Sequence, residues 1–243
     1  MSDPGIIIAK RSLSLSKTYV VIGVFLGLIS VLISSIPTLL NTFPSSTGIP
    51  LGNSTFPGGL TFQEYFRLIS VPLQVFASIA FSTPVLLLYV YDKNNGVLEY
   101  FLSLGMDQGD IYRRYLKAAL ILTGGLVSFE IVANVVAGII QGANLSILLE
   151  LSGLVVLIAL PVVSLVTIIM IAFSSLQKQR IGSNQPLGIA LGVVMVFPSY
   201  IGPLVIPSLA IPIDLAIVVS VSVLTIVMLL LSSRLISREK LLP

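Results

Sequence analysis

From Thr18 to Leu40 the chain carries no charged residue, and the same holds from Ile69 to Tyr91 and from Leu151 to Phe173. A helix needs about 20 predominantly apolar residues to cross the hydrocarbon core of a bilayer. Runs of this length in one chain therefore read as membrane-crossing helices. The composition agrees: 56% of the 243 residues are hydrophobic, 9% are charged and the mean hydropathy is +1.06, whereas a soluble domain has about a quarter of its residues charged. The expected fold class is an all-α integral membrane protein.

Taken in order, residues 1–17 place Ile6, Ile7 and Ile8 beside Lys10, Arg11 and Lys17. That pattern suits an interfacial helix on the cytoplasmic leaflet, or an unstructured tail. Span 1 is Thr18 to Leu40, too long for a signal-peptide core. Residues 41–68, rich in Pro, Gly, Ser and Thr, read as a loop, closed by a short helix that Thr61 and Glu64 would cap. Span 2 is Ile69 to Tyr91, with Pro84 expected to kink it. Span 3 runs from about Tyr115 to Ile140, and its Gly124-Gly125 pair permits close helix approach. Span 4 runs from about Ile147 to Phe173 with Pro161 near its middle. Four prolines, Pro198, Pro203, Pro207 and Pro212, interrupt the next apolar stretch. Leu187 to Phe197 is therefore read as an ascending span 5, Pro198 to Pro212 as a broken, re-entrant segment packed against protein, and Ile213 to Ser233 as span 6. The expected organisation is a terminal segment 1–17, a six-span domain 18–233 and a tail 234–243.

Six spans put both termini on one side. Of the 13 Lys and Arg residues, all but Arg67 then fall on that side, which the positive-inside rule makes the cytoplasm. Two N-x-S/T sequons, at Asn53 and Asn144, both fall outside and are possible glycosylation sites. The basic residues serve membrane orientation rather than nucleic-acid binding.

Eight of the charged residues lie between two long apolar segments in one cytoplasmic loop, Asp92 to Lys117. Within it Val97 to Leu104 has helical spacing, with Val97, Phe101 and Leu104 on one apolar face and Glu99 and Ser103 on others. Asn95 or Gly96 would start this helix and Gly105 would stop it. Asp107, with Asp110 three residues on, would cap the next helix.

The order Asp92, Gly96, Leu98-Glu99, Leu102-Ser103 and Ile111 resembles the cytosolic loop of ABC type-2 exporter permeases, although that family usually has Pro where this chain has Gly105. Six spans, cytosolic ends and a Pro-broken segment between spans 5 and 6 extend the resemblance along nearly the whole chain. It implies that the loop, 92–114, is a coupling helix docked on a separate ATP-binding subunit through Gly96, Val97, Leu98, Glu99, Phe101, Leu102, Leu104 and Gly105. It also implies an assembly of two permease chains, identical or mixed, and two ATP-binding subunits. That assembly would export a small or hydrophobic substrate across the cell membrane by alternating access, with ATP and Mg held by the partner. The FtsX-like permeases share the Gly-x-Leu loop and its Leu104-Gly105 ending, but carry a large extracellular domain and usually four spans.

The chain itself has no G-x-x-x-x-G-K-[ST] sequence and no Cys, His or Trp. P-loop chemistry, thiolate or imidazole metal sites and Cys or His nucleophiles are thereby excluded from its own residues. It is expected to be a non-catalytic subunit without a cofactor. Within span 3, Glu130, Asn134 and Gln141 form a polar stripe. A charge at that depth costs about 2.5–3.5 kcal/mol, so the stripe faces protein or a cavity. It serves either a substrate path or an inter-helix hydrogen bond. Glu150, near the outer edge, is expected to snorkel. A secondary transporter or channel, working without ATP, is the other class open to such a chain, but it would want more intramembrane carboxylates.

The orientation is directly testable because the chain has no native Cys. Single cysteines at Ser46 and Ser208 are expected to react with an impermeant thiol reagent in intact cells, and ones at Asn94 and Gln179 to stay unlabelled. The reverse pattern overturns both the orientation and the cytoplasmic placing of the loop.

Overall fold

A computed structural model describes residues 3–42, 70–140, 145–173 and 210–235. Within them lie seven helices and no strand: α1 (Pro4–Leu15), α2 (Lys17–Thr42), α3 (Val71–Asn94), α4 (Val97–Ser103), α5 (Gln108–Ile140), α6 (Leu145–Phe173) and α7 (Ala210–Leu235). Three stretches are long and apolar enough to cross a membrane, Val71–Asn94, Gln108–Ala137 and Leu148–Ala172. A fourth arises if α1 and the first part of α2, bent by 96° at Ser16, count together. The expected loop helix after residue 60, the ascending span 5 and residues 198–209 of the expected re-entrant segment lie outside the described residues, and that segment's last three residues, Ala210 to Pro212, begin α7.

Helices α3, α5 and α6 make the centre of the bundle. On α6, Leu151, Val155, Ile158, Ala159, Val162 and Val166 are buried at helical spacing, and they share one core with Val75, Ile79, Val85 and Leu88 of α3 and Ala118, Ala119 and Leu122 of α5. Helix α2 packs on α3, and α7 on α6. Outward faces are apolar too: Val21 and Phe25 of α2, Val132 of α5 and Leu215 and Leu230 of α7 are each at least 60% exposed. A surface of that kind suits lipid, which solvates apolar side chains, and is untenable in water.

Pro84 and Pro161 both sit inside continuous helices. At the second, Thr225 of α7 places its hydroxyl 3.0 Å from the Pro161 carbonyl, so the proline segment of α6 meets a polar group of the helix packed on it.

The N-terminal residues form a helix rather than a tail. Asp3 caps it by accepting from the Gly5 N–H at 2.9 Å, and Pro4 occupies the first turn, where a missing N–H costs nothing. Its inner face is small, with Gly5, Ala9 and Ser12 buried against α5 and α3, and Ile6, Ile7 and Leu15 exposed. The Lys117 stem crosses Gly5, where a methyl group would lie 3.1 Å from it, and its ammonium hydrogen-bonds Asp3. That bond, then the Gly5 N–H, holds the Asp3 carboxyl below its ordinary value of 3.8. A carboxyl so lowered contributes stability above its unfolded value and loses it as pH falls through the folded one, so the contact is intact at neutral pH.

The close helix approach occurs elsewhere than at Gly124-Gly125. Those two glycines have no atom within 4 Å of an added Cβ, whereas Gly23 of α2 lies against the backbone of Phe81 on α3, where a Cβ would come 2.8 Å from the Phe81 Cβ. Gly27, one turn on, lies against Glu130 of α5. The motif in use is therefore Gly23-x-x-x-Gly27, small residues on one face that let three helices converge.

Gly23→Leu is accordingly expected to force α2 off α3 and to lower the midpoint of thermal unfolding in detergent by the equivalent of about 1–3 kcal/mol. Gly124→Leu, in open space, should leave the midpoint within the equivalent of about 0.5 kcal/mol. Equal effects of the two substitutions would contradict this packing.

Candidate functional site

Helix α4 is a single seven-residue element held between two glycines in left-handed conformation, Gly96 at φ 71° and Gly105 at φ 80°. Only glycine takes that region without strain, so both positions work as hinges of a tight corner. Expected and observed ends agree to within a residue. Asp107 then opens α5 by accepting from the Gly109 N–H at 3.0 Å. Asp110 pairs with Arg113 at 3.6 Å, an exposed i,i+3 contact worth little.

The two faces of α4 differ from the spacing argument. Leu98 is completely buried, and Phe101 and Leu102, three and four residues on, pack half-buried against the same core. The outward face is Glu99, Tyr100, Ser103 and Leu104, with Tyr100 60% and Leu104 59% exposed. The stripe on the bundle thus runs 98, 101, 102, and of the residues expected to share one apolar face, Phe101 and Leu104 fall on opposite sides. Its cause is the corner itself: Gly96 turns the chain so that Leu98, the second helical residue, points back at the bundle.

Beneath α4 lies a cluster that residue patterns do not disclose. Asp92, 1% exposed, ends α3 with its carboxylate between Arg11 of α1 and Tyr115 of α5. Arg11 Nη2 forms an ion pair with Oδ1 at 2.8 Å and Nη1 donates to Oδ2 at 3.2 Å, while the Tyr115 hydroxyl donates to Oδ2 at 2.6 Å. Charge-assisted contacts of this kind fix orientation as well as contributing energy. The Tyr115 ring in turn meets Tyr89 edge-on, centroids 5.2 Å apart. Three helices that are far apart in sequence are tied at one carboxylate. Asp92 is legible as a loop acid, but nothing in the spacing links it to Arg11.

Of the polar stripe on α5, Glu130 is wholly buried and Asn134 is 4% exposed. Neither carboxylate oxygen of Glu130 has a hydrogen-bond partner among the described residues. Gln141 and the sequons at Asn53 and Asn144 lie outside those residues, and Glu150 is exposed on α6. Among the described residues no group of His, Cys, Asp or Glu could hold a metal ion. No protein-family model, curated protein or solved structure matches this chain.

The two faces of α4 separate fold from surface. Leu98→Ala should destabilise the purified chain by about 2–5 kcal/mol, as removal of a buried leucine does. Tyr100→Ala and Leu104→Ala should each stay within about 0.5 kcal/mol of the parent. Thermal unfolding in detergent reads both, and a marked loss in the second pair would show the outward face to be structural.

Proposed function

We propose that the chain is the membrane-spanning permease subunit of an ATP-driven exporter of the ABC type-2 kind, with six spans, cytoplasmic termini and α4 as its coupling helix. The observation that carries the reading is α4: a rigid corner whose inward residues are anchored in the bundle and whose outward residues, Glu99, Tyr100 and Leu104, are exposed. An acidic residue flanked by exposed apolar side chains is the chemistry of a small protein-docking patch. Gly96, Val97, Leu102 and Gly105 shape this patch rather than touch the partner, and Leu98 and Phe101 hold it to the bundle.

Transmission follows from the helix lengths. Helix α5 has 33 residues, about 50 Å at the helical rise of about 1.5 Å per residue, more than a bilayer core requires. It begins in the corner after α4 and continues past Glu130 without interruption. Displacement of α4 by a nucleotide-driven partner would therefore tilt α5 as a lever, and the Asp92 cluster would carry α1 and α3 with it. ATP and Mg belong to that partner; a second copy or relative of this chain completes the membrane pathway.

An ATP-independent transporter is the second reading, favoured by one observation, the unpartnered Glu130 carboxyl at membrane depth. Purification of the chain from its native membranes decides between them. On the ABC reading a P-loop ATPase accompanies it stoichiometrically. Glu99→Arg and Leu104→Asp each lower recovery of that ATPase about ten-fold or more, because like charges or an unpaired carboxylate at a docking contact cost several kcal/mol. Gln108→Ala, beyond the patch, leaves recovery unchanged. Normal ATPase recovery and transport by the doubly substituted chain overturn the reading.

A further inference from the structure

Among the described residues Glu130 has no counter-charge at its depth. Neighbouring α2 is uncharged from Thr18 to Leu40, α3 from Ile69 to Tyr91, α6 from Leu151 to Phe173 and α7 from Leu215 to Ser233, and α5 carries no other charge between Ala118 and Ile140. Facing it across α2 is Gly27, where a methyl group would stand 2.7 Å from Oε1. Gly27 lies eleven residues from the bend at Ser16, about 16 Å along the helix, roughly half the bilayer core.

The surroundings hold several acceptors that no donor among the described residues meets. The Ser30 hydroxyl donates to the Gly27 carbonyl at 2.7 Å, Ser70 donates to the Ser30 carbonyl at 3.4 Å, and Gln74 Nε2 donates to Ser70 Oγ at 3.1 Å. Those bonds use the donors of Ser30 and Ser70. Gln74 Oε1 and both oxygens of Glu130 remain without a partner among the described residues, and all three belong to fully buried side chains. Buried acceptors left open in a low-dielectric interior are costly, so a site of this composition is complementary to a ligand that brings donors and a positive charge.

Beside this cluster is an apolar crevice of about 330 Å³ between α2 and α3, lined by Tyr19, Ile22 and Leu26 and by Leu73, Phe76 and Ile79. Its size and lining are those of a small-molecule site, and apolar cavities of this kind stay dry and take hydrocarbon. Crevice and cluster adjoin on both helices: Leu26 lines one and Gly27 borders the other, and Leu73 and Gln74 divide in the same way.

We infer that the α2–α3–α5 junction binds an amphipathic amine, its hydrocarbon in the crevice and its ammonium against Glu130. This gives a substrate class to the stripe that the transporter reading assigns to the substrate path, and it rests on that reading only for the claim that the bound amine is carried. Gly23 and Gly27 leave α2 without side chains where it meets Phe81 of α3 and Glu130 of α5, so the helix backbone itself borders the carboxyl.

The test uses the purified full chain in nanodiscs, without any ATPase, and measures binding and thermal stabilisation by decylammonium, decanol and decanoate. Decylammonium is expected to bind about ten-fold or more tightly than decanol, and decanoate more weakly than either. Glu130→Gln should abolish the preference for the amine while decanol binding persists. Should that variant fail to fold, Gly27→Ala, whose methyl displaces the carboxyl, should reduce the same preference. Equal binding of amine and alcohol by the parent chain, or a preference that survives both substitutions, overturns the inference. Displacement of decylammonium by millimolar sodium alone would also overturn it, in favour of an inorganic cation site. Amine selectivity without an associated ATPase would leave this site standing and remove the ABC reading; the converse result would do the opposite.

Discussion

A carboxylate out of water must be matched, and the Asp92 site shows what that requirement imposes on the fold. Its two oxygens are met by a guanidinium 81 residues earlier and a phenol 23 residues later. Removing either partner leaves a buried charge under-bonded, which is far more costly than the net worth of the interaction when intact. The end of α3, the start of α5 and the whole of α1 are thereby held in one arrangement. Helix α1 has few other means of staying in place, since its inner face is Gly5, Ala9 and Ser12. Small residues give close approach but little apolar area, so polar contacts at Arg11 and Asp3 supply the orientation that area alone would not.

The α4 corner depends on that frame. A seven-residue helix is too short to persist on its own propensity and exists because its surroundings hold it. Leu98 and the half-buried Phe101 and Leu102 face the core, the two left-handed glycines set its direction, and the Asp107 cap restarts the chain as α5. The outward residues are then free of structural duty. A surface whose side chains can be exchanged without cost to the fold is one on which a partner's requirements can be written.

How much of this was legible in the sequence varies with the range of the physics. Local signals were sufficient for α4: two glycines, an acid at the following cap and helical spacing fixed its ends. Long uncharged runs sufficed for α2, α3 and α6, and a long apolar stretch interrupted by Glu130 for α5. Spacing alone does not say which residues of α4 meet the bundle, since hydrophobicity ranks Val97 and Leu104 with Leu98, and the turn at Gly96 decides which of them points inward. Likewise the Gly124-Gly125 pair suggests helix approach, yet it is Gly23 and Gly27, with the G-x-x-x-G spacing that puts both on one face, that meet α3 and α5. Arg11, Asp92 and Tyr115 were individually visible, but their meeting is a tertiary fact with no periodicity behind it.

The two buried acids of the bundle make an instructive contrast. Asp92 sits at the charged end of α3 and is matched within the chain by Arg11 and Tyr115, so its charge is spent on holding helices together. Glu130 sits within α5, packed against Gly27 of α2, with no counter-charge beside it on α2, α3, α6 or α7 among the described residues. Were Glu130 merely structural, the simplest arrangement would hand it a donor, and Ser78 and Thr123, buried with hydroxyls that meet no partner among the described residues, show that donors are available on α3 and α5. The bundle leaves those hydroxyls and the carboxyl apart. Burial as such does not set the two acids apart: Asp92 is matched by residues elsewhere in the chain, whereas Glu130 has no partner among the described residues.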